Sequence, residues 1–266
     1  MWDLSSGKVL TQFVCKNQVE EVISAISLRT TSSKLLTGHN KGLLKIFDIE
    51  RPDEAPSTLE LKHQKKRLRG PLSSIAVSGE HLMALGSFDN RVYMVDNRNL
   101  KKINFFLKQA KGTGVTQVKY LTDTSLLVAS RQDCNISFWD IRHAKDSFVQ
   151  YNLLRSETLT NQRMYFDVAI FKEKTILVSG TVEGSVIIYD LTGGQCMGVF
   201  PTLFDSVGAV ALRVEDDKLF LVTGSGQRHF SDGDDHDSDD SDPIEDKPES
   251  EYLEYRNGLR LWRLNI

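Results

Sequence analysis

The chain has 266 residues, 40% hydrophobic and 26% charged, a globular balance that allows one large domain or two small ones. No run approaches the ~18 consecutive apolar residues of a membrane helix. The three cysteines (Cys15, Cys134, Cys196) form no CxxC pair, which argues against a disulfide framework or structural zinc and for a reducing compartment. The net charge of −3 hides a split: of 33 basic and 36 acidic residues, one lysine and twelve acids fall between His229 and Arg256, so a basic body carries a strongly acidic segment.

Taken in chain order, the sequence repeats itself. Met1-Trp2-Asp3-Leu4 reads as the end of a copy. Four ungapped blocks follow: LLTGHNKGLLKIFD (Leu35 to Asp48), MALGSFDNRVYMVD (Met83 to Asp96), LVASRQDCNISFWD (Leu127 to Asp140) and LVSGTVEGSVIIYD (Leu177 to Asp190). Each starts apolar, passes through a Gly/Ser/Asp/Asn-rich turn and ends on a bulky apolar residue plus Asp. A further copy starts at Leu221, is interrupted by the acidic segment, and resumes at NGLRLWR (Asn257 to Arg263). A period in the forties with several short strands per copy is the mark of a WD40-type β-propeller.

Each block predicts a hairpin of two strands, as in Val92-Tyr93-Met94-Val95 and Val186-Ile187-Ile188-Tyr189, rich in β-branched and aromatic residues. A first strand is expected before each block, at Ile23 to Leu28, Leu72 to Val77, Val115 to Tyr120, Phe166 to Phe171 and Val207 to Leu212. A fourth is expected after the terminal Asp, at Val9 to Val14, Ile103 to Leu107 and Cys196 to Phe200. The expected fold is therefore all-β: one WD40 propeller domain over residues 1–266, with five recognisable four-stranded blades and an acidic insertion at 229–256. Val9 to Val14 is a candidate fourth strand for the last blade. The alternative preferred is an N-terminally truncated seven-bladed ring. Within the blades, Asp89 and Asp133 are expected as turn acids and Ser87 and Ser130 as hydroxyl partners. Trp139 is expected as the indole of the polar network that ties a blade together.

Three segments go beyond the general repeat: SRQDCNISFWDIR (Ser130 to Arg142), TNQRMYFD (Thr160 to Asp167), and SGQRHF (Ser225 to Phe230) with RNGLRLW (Arg256 to Trp262) beyond it. Together with the blade order these resemble the telomerase Cajal body protein family, and most closely its fungal, splicing-linked branch. The resemblance implies a nuclear WD40 protein that binds small nuclear RNA or its ribonucleoprotein proteins, in pre-mRNA splicing or small nuclear RNA biogenesis. Two of that family's blades are missing, and the basic run KHQKKRLRG is richer here.

That run, Lys62, His63, Lys65, Lys66, Arg67 and Arg69, is expected in a loop between the last strand of one blade and the first of the next. Its charge suits RNA phosphate; a nuclear-import signal or a solvated loop are the other readings. TNQR is expected in the same type of loop one blade later. Asn161 and Gln162 suit base edges, Arg163 a phosphate and Tyr165 a stacked base, although Gln162 and Arg163 also suit loop fixation. Arg131, Gln227 and Arg228 occupy turns of the same end, so Arg131, Arg163 and Arg228 are expected to converge. The composition of the acidic segment predicts disorder. It is expected to compete with RNA, to dock a basic partner or only to solubilise, and Ser231, Ser238 and Ser241 suit an acid-directed kinase. The histidines show no HxH or HExxH spacing and there is no Walker loop or GxSxG turn, so no catalysis and no cofactor are expected. The rival function is a protein–protein propeller, such as a ubiquitin-ligase receptor or chromatin reader.

Overall fold

The structure is a computed structural model. It describes residues 2–3, 5–9, 13, 25–29, 33–63, 66–68, 70–78, 81–96, 98–100, 102–109, 111–142, 149–154, 158–201, 205–226 and 258–266. The strands are β1 (Trp2–Asp3), β2 (Lys8–Val9), β3 (Ala25–Arg29), β4 (Lys34–Gly38), β5 (Leu43–Asp48), β6 (Ser57–Glu60), β7 (Lys62–His63), β8 (Lys66–Arg67), β9 (Leu72–Val77), β10 (Leu82–Ser87), β11 (Arg91–Asp96) and β12 (Ile103–Lys108). They continue with β13 (Gly114–Thr122), β14 (Ser125–Arg131), β15 (Asn135–Asp140), β16 (Val149–Leu154), β17 (Phe166–Phe171), β18 (Lys174–Gly180), β19 (Ser185–Asp190), β20 (Gln195–Pro201), β21 (Val207–Glu215), β22 (Lys218–Ser225) and β23 (Gly258–Leu264).

Four antiparallel meanders of four strands result, β3 to β6, β9 to β12, β13 to β16 and β17 to β20, followed by a three-stranded sheet, β21 to β23. We call them blades 1 to 5. The predicted first strands of blades 2 and 4 coincide with β9 and β17. The middle strands are buried nearly end to end, as in Met83 to Ser87 and Val92 to Val95, because both faces of a blade are covered. The fourth strand of blade 2, β12, buries Ile103 and Leu107 and exposes Asn104 and Lys108, the residue after each.

Among the described residues the last blade has three strands, β21 to β23. Lys8–Val9 pairs with Trp2–Asp3 in a two-stranded sheet, because the short Ser5-Ser6-Gly7 turn folds it back on its own neighbour. Residues 10–12 and 14 of that expected strand lie outside the described residues, as does the whole acidic insertion.

The chain divides into two compact units, Met1–Leu154 with Leu159–Asn161, and Arg155–Thr158 with Gln162–Ile266. In the first, one apolar cluster lies between blades 1 and 2 (Leu36, Leu44, Leu72, Met83, Leu85). A second lies between blades 2 and 3 (Val92, Met94, Val115, Val118, Trp139). The first strands of neighbouring blades are also bonded: the Ser73 hydroxyl donates to the Val115 carbonyl at 2.5 Å, and Ser74 Oγ accepts the Val118 N–H at 3.0 Å. In the second unit the cluster of Ile176, Val178, Val186, Val207 and Leu221 joins blades 4 and 5, and Asp167 Oδ2 accepts the Leu212 N–H at 2.7 Å. The other face of blade 5 is open, with Leu259 and Leu261 exposed at 78% and 69%.

The aspartate that closes each repeat has one local job. Asp3, Asp48, Asp96, Asp140 and Asp190 each accept the backbone N–H two residues on, at 2.9–3.0 Å, and so shape the turn that leaves the third strand. Arg98 and Arg142 add forked pairs to Asp96 and Asp140.

Blade contact sets a steric limit at Gly180, where a Cβ would lie 1.9 Å from the Val207 carbonyl oxygen; at Gly208 the nearest atom would be 3.8 Å away. Gly180→Ala should therefore lower unfolding stability by about 1–3 kcal/mol in urea titration, and Gly208→Ala should change it by less than about 0.5 kcal/mol. Equal midpoints for the two variants would contradict the packing. A second outcome concerns Asp96, whose carboxyl is lowered to about 2 by the Arg98 side chain and then by the Arg98 backbone N–H. A depressed folded value means that this contribution is present above the ordinary carboxylate pKa and is lost as pH falls toward 2. Carboxyl NMR titration should show Asp96 ionised at pH 3, and Arg98→Ala should move its midpoint up toward the usual range.

Candidate nucleic-acid interface

In every blade the turn between the second and third strands and the connection to the next blade emerge at the same end, because the meander reverses direction three times. The basic run lies at this end, but it is not a loop. It forms a hairpin of its own, β7 with β8, in which Lys62 opposes Arg67 and His63 opposes Lys66. Its roots explain why: Leu61 and Leu68 are 0% and 5% exposed in the core between blades 1 and 2, and the Leu68 N–H donates to the Leu61 carbonyl at 3.1 Å. Gly42, with φ of 68°, makes room beneath, since a Cβ there would meet Leu68 Cβ at 2.3 Å. Two buried leucines thus hold a ribbon with cations in register, and like charges directly opposite one another destabilise a strand pair. Lys62 is exposed; Lys65 and Arg69 lie outside the described residues.

The TNQR connection runs from β16 to β17, two blades beyond the hairpin rather than one, since blades 2 and 3 intervene. Asn161 is exposed and belongs to the first unit, where the adjacent Thr160 carbonyl accepts the Gln132 N–H at 2.9 Å. Gln162 and Arg163 are half-buried in the second unit. Met164 and Phe166 are both 1% exposed and Tyr165 is 38% exposed, so the alternation of an extended chain turns the phenol outward. The Tyr165 N–H donates to the Gly208 carbonyl at 2.9 Å and fixes that direction. Of the three arginines expected together, Arg131 is in the first unit and Arg163 in the second. Gln227 and Arg228 lie outside the described residues.

The richest geometry is at the turn of blade 2, where Asp89 was expected as a turn acid. Between β10 and β11, Asn90 (φ 65°) points its side-chain amide at the carbonyls of Gln109, Lys111 and Gly112, 3.0–3.3 Å away. Asp89 accepts the Tyr93 hydroxyl and pairs with Arg91 at 3.4 Å. Burial, then the Asp89 bond, pushes the Tyr93 phenol up. Arg91 lies over the Phe106 ring, and Arg131 lies 4.2 Å from the centre of the Phe88 ring. The available signal was a phenylalanine in SFDNR, at a turn position where small polar residues are usual.

Asp133 accepts the Asn135 N–H at 3.0 Å, the turn-shaping role expected of it. The expected indole partner in blade 3 is corrected. Trp139 is fully buried with no hydrogen-bond partner for its indole N–H among the described residues. In blade 5, Trp262 donates to Thr223 at 3.0 Å; Leu126 faces Trp139 as Leu221 faces Trp262, so the register puts Val128 at the position of Thr223 and blade 3 lacks the hydroxyl. Among the described residues no three His, Cys, Asp or Glu side chains are grouped to hold a metal ion, and no helix is long and apolar enough to cross a membrane.

Comparison with known proteins agrees with this architecture. The model of the WD domain, G-beta repeat, matches residues 102–140. A telomerase Cajal body protein 1 homolog of Drosophila melanogaster is 30% identical over 242 residues, 87% of this chain and 42% of its own length. Human telomerase Cajal body protein 1 is 27% identical over 240 residues, 86% of this chain and 42% of its own. Guanine nucleotide-binding protein negative regulator 1 of Schizosaccharomyces pombe is 28% identical over 59% of this chain and 40% of its own length. This chain thus spans less than half the length of these relatives. Among solved structures, a chain of the mitotic checkpoint complex superposes with a TM-score of 0.63 at 15% identity, over 85% of this chain and 63% of that one. The chain is a WD40-repeat protein of propeller-blade architecture, related to the telomerase Cajal body proteins over most of its length.

Proposed function

We propose that this protein is a non-catalytic nuclear scaffold that binds small nuclear RNA or its ribonucleoprotein particle and acts in splicing or small nuclear RNA biogenesis. The observation that carries the reading is the 27–30% identity to telomerase Cajal body proteins along 86–87% of the chain. The basic hairpin agrees with it. Facing cations on a ribbon held by buried leucines are relieved by a polyanion, and phosphate neutralisation releases counterions. Asn161, Gln162, Arg163 and Tyr165, with Arg131, Gln227 and Arg228, are the remaining contacts of this reading, and Lys65, Lys66, Arg67 and Arg69 are its phosphate contacts. The acidic segment receives a basic partner, with Ser231, Ser238 and Ser241 as the sites that tune its charge.

A protein-binding propeller is the second reading, favoured by the similarity to a protein named as a regulator of a guanine nucleotide-binding protein. The two separate in one experiment, the sequencing of RNA that co-purifies with the tagged chain from nuclear extract. Small nuclear RNAs should be enriched. Replacing Lys62, Lys66 and Arg67 together with Gln should weaken RNA binding on the order of tenfold and lower the salt slope by about 2, at ~0.7 per lost single-strand phosphate contact. Partners retained in full after nuclease treatment, with no RNA enriched, would favour the protein adaptor instead.

A further inference from the structure

Phe88 and Arg131 come from different blades of the first unit. Phe88 sits in the turn of blade 2, and Arg131 ends the second strand of blade 3. They meet because backbone on both sides is fixed. The Phe88 N–H donates to the Pro71 carbonyl at 3.1 Å, and the Thr113 N–H donates to the Arg131 carbonyl at 2.9 Å. Gly114 lets the Phe88 backbone approach closely, since a Cβ there would lie 3.0 Å from Phe88 Cα. Asn90, two residues on, is held against three carbonyls. The guanidinium carbon lies over the ring, 4.2 Å from its centre. Both residues keep partial exposure, and the buried Nε of Arg131 has no acceptor among the described residues. A guanidinium that serves only as a structural tie ordinarily spends its donors on carboxylates or carbonyls. This one is held by its plane.

We propose that the Phe88–Arg131 stack is a docking plane for an unpaired nucleobase of a single-stranded RNA. The inference rests on the RNA-binding reading and names the group that the surface takes. The reasons are chemical. A planar cation backed by an aromatic ring offers a flat, electron-poor face, which stacks on any base and tolerates sequence changes. The plane is rigid before binding, so little ordering cost is added on contact. Exposed Lys108 and Lys111 flank the same connection, Arg91 pairs with Asp89, and Asp133 in the turn after Arg131 is buried and accepts the Asn135 N–H. The basic hairpin occupies the preceding connection at the same end of the first unit, so phosphate contact and base stacking fall on one side of blades 1 to 3.

The test uses the full chain and a short fluorescein-labelled single-stranded RNA, intact or with its bases removed at successive positions to leave the phosphates. Arg131→Lys keeps the charge and removes the plane; Phe88→Leu keeps apolar bulk against Gly114 and removes the ring. Wild type should bind the intact strand about tenfold more tightly than the abasic strand. Both variants should lose most of that preference while keeping the wild-type melting temperature and salt slope. The Lys62/Lys66/Arg67→Gln protein should show the reverse, a reduced salt slope with the base preference kept. If the lysine and leucine variants discriminate intact from abasic RNA as wild type does, the stack is only a structural tie and the inference fails, while RNA binding stands. If wild type binds neither strand, both readings fall together.

Discussion

The structure depends on one constraint: the middle strands of a blade are apolar on both faces, so a blade is stable only between neighbours. Met83, Leu85, Tyr93 and Val95 look one way into blade 1, while Ala84, Val92 and Met94 look the other way into blade 3. Strand alternation assigns each residue to one side, and a slip of one residue would exchange the two sets. Burial of each such side chain is worth roughly 1.5–3 kcal/mol, so register and blade contact reinforce each other. Polar links then fix the angle between blades. Ser73 and Ser74 on β9, and Asp167 on β17, bond backbone on the first strand of the next sheet. These side chains occupy strands that would otherwise present only apolar groups to one another.

The same constraint explains what could be read in the sequence. Leu72–Val77 and Phe166–Phe171 were legible to the residue because buried strands draw on β-branched and aromatic residues and end at turn formers. The closing aspartates were legible as a period, and each proved to be a turn acceptor. The hairpin at Lys62–Arg67 was not. Its four Lys and Arg residues and His63 suppress any strand signal, and what makes it a ribbon is burial of Leu61 and Leu68 against residues far away in sequence. Trp139 shows the opposite error. A tryptophan before aspartate matches the repeat, yet its hydrogen bond depends on one partner position, and Val128 leaves that position without a hydroxyl. The candidate site was legible in charge and motif. The Phe88–Arg131 contact was not, because it joins two turns 43 positions apart, and nothing local to either turn specifies the other.

The two ends of the blades are chemically unlike, and this follows from where acids are consumed. At the end where the third strand finishes, blades 1 to 4 carry an aspartate with an oxygen taken by its own turn, and in blades 2 and 3 by Arg98 and Arg142 as well. At the other end the turns are shaped mainly by backbone carbonyls, Asn90 and Asp133, and the acid Asp89 is matched by Arg91. Lys108 and Lys111 are exposed at that end of blade 2. Sidedness of this kind needs no motif; it arises from which turns of the meander use acid and which use backbone.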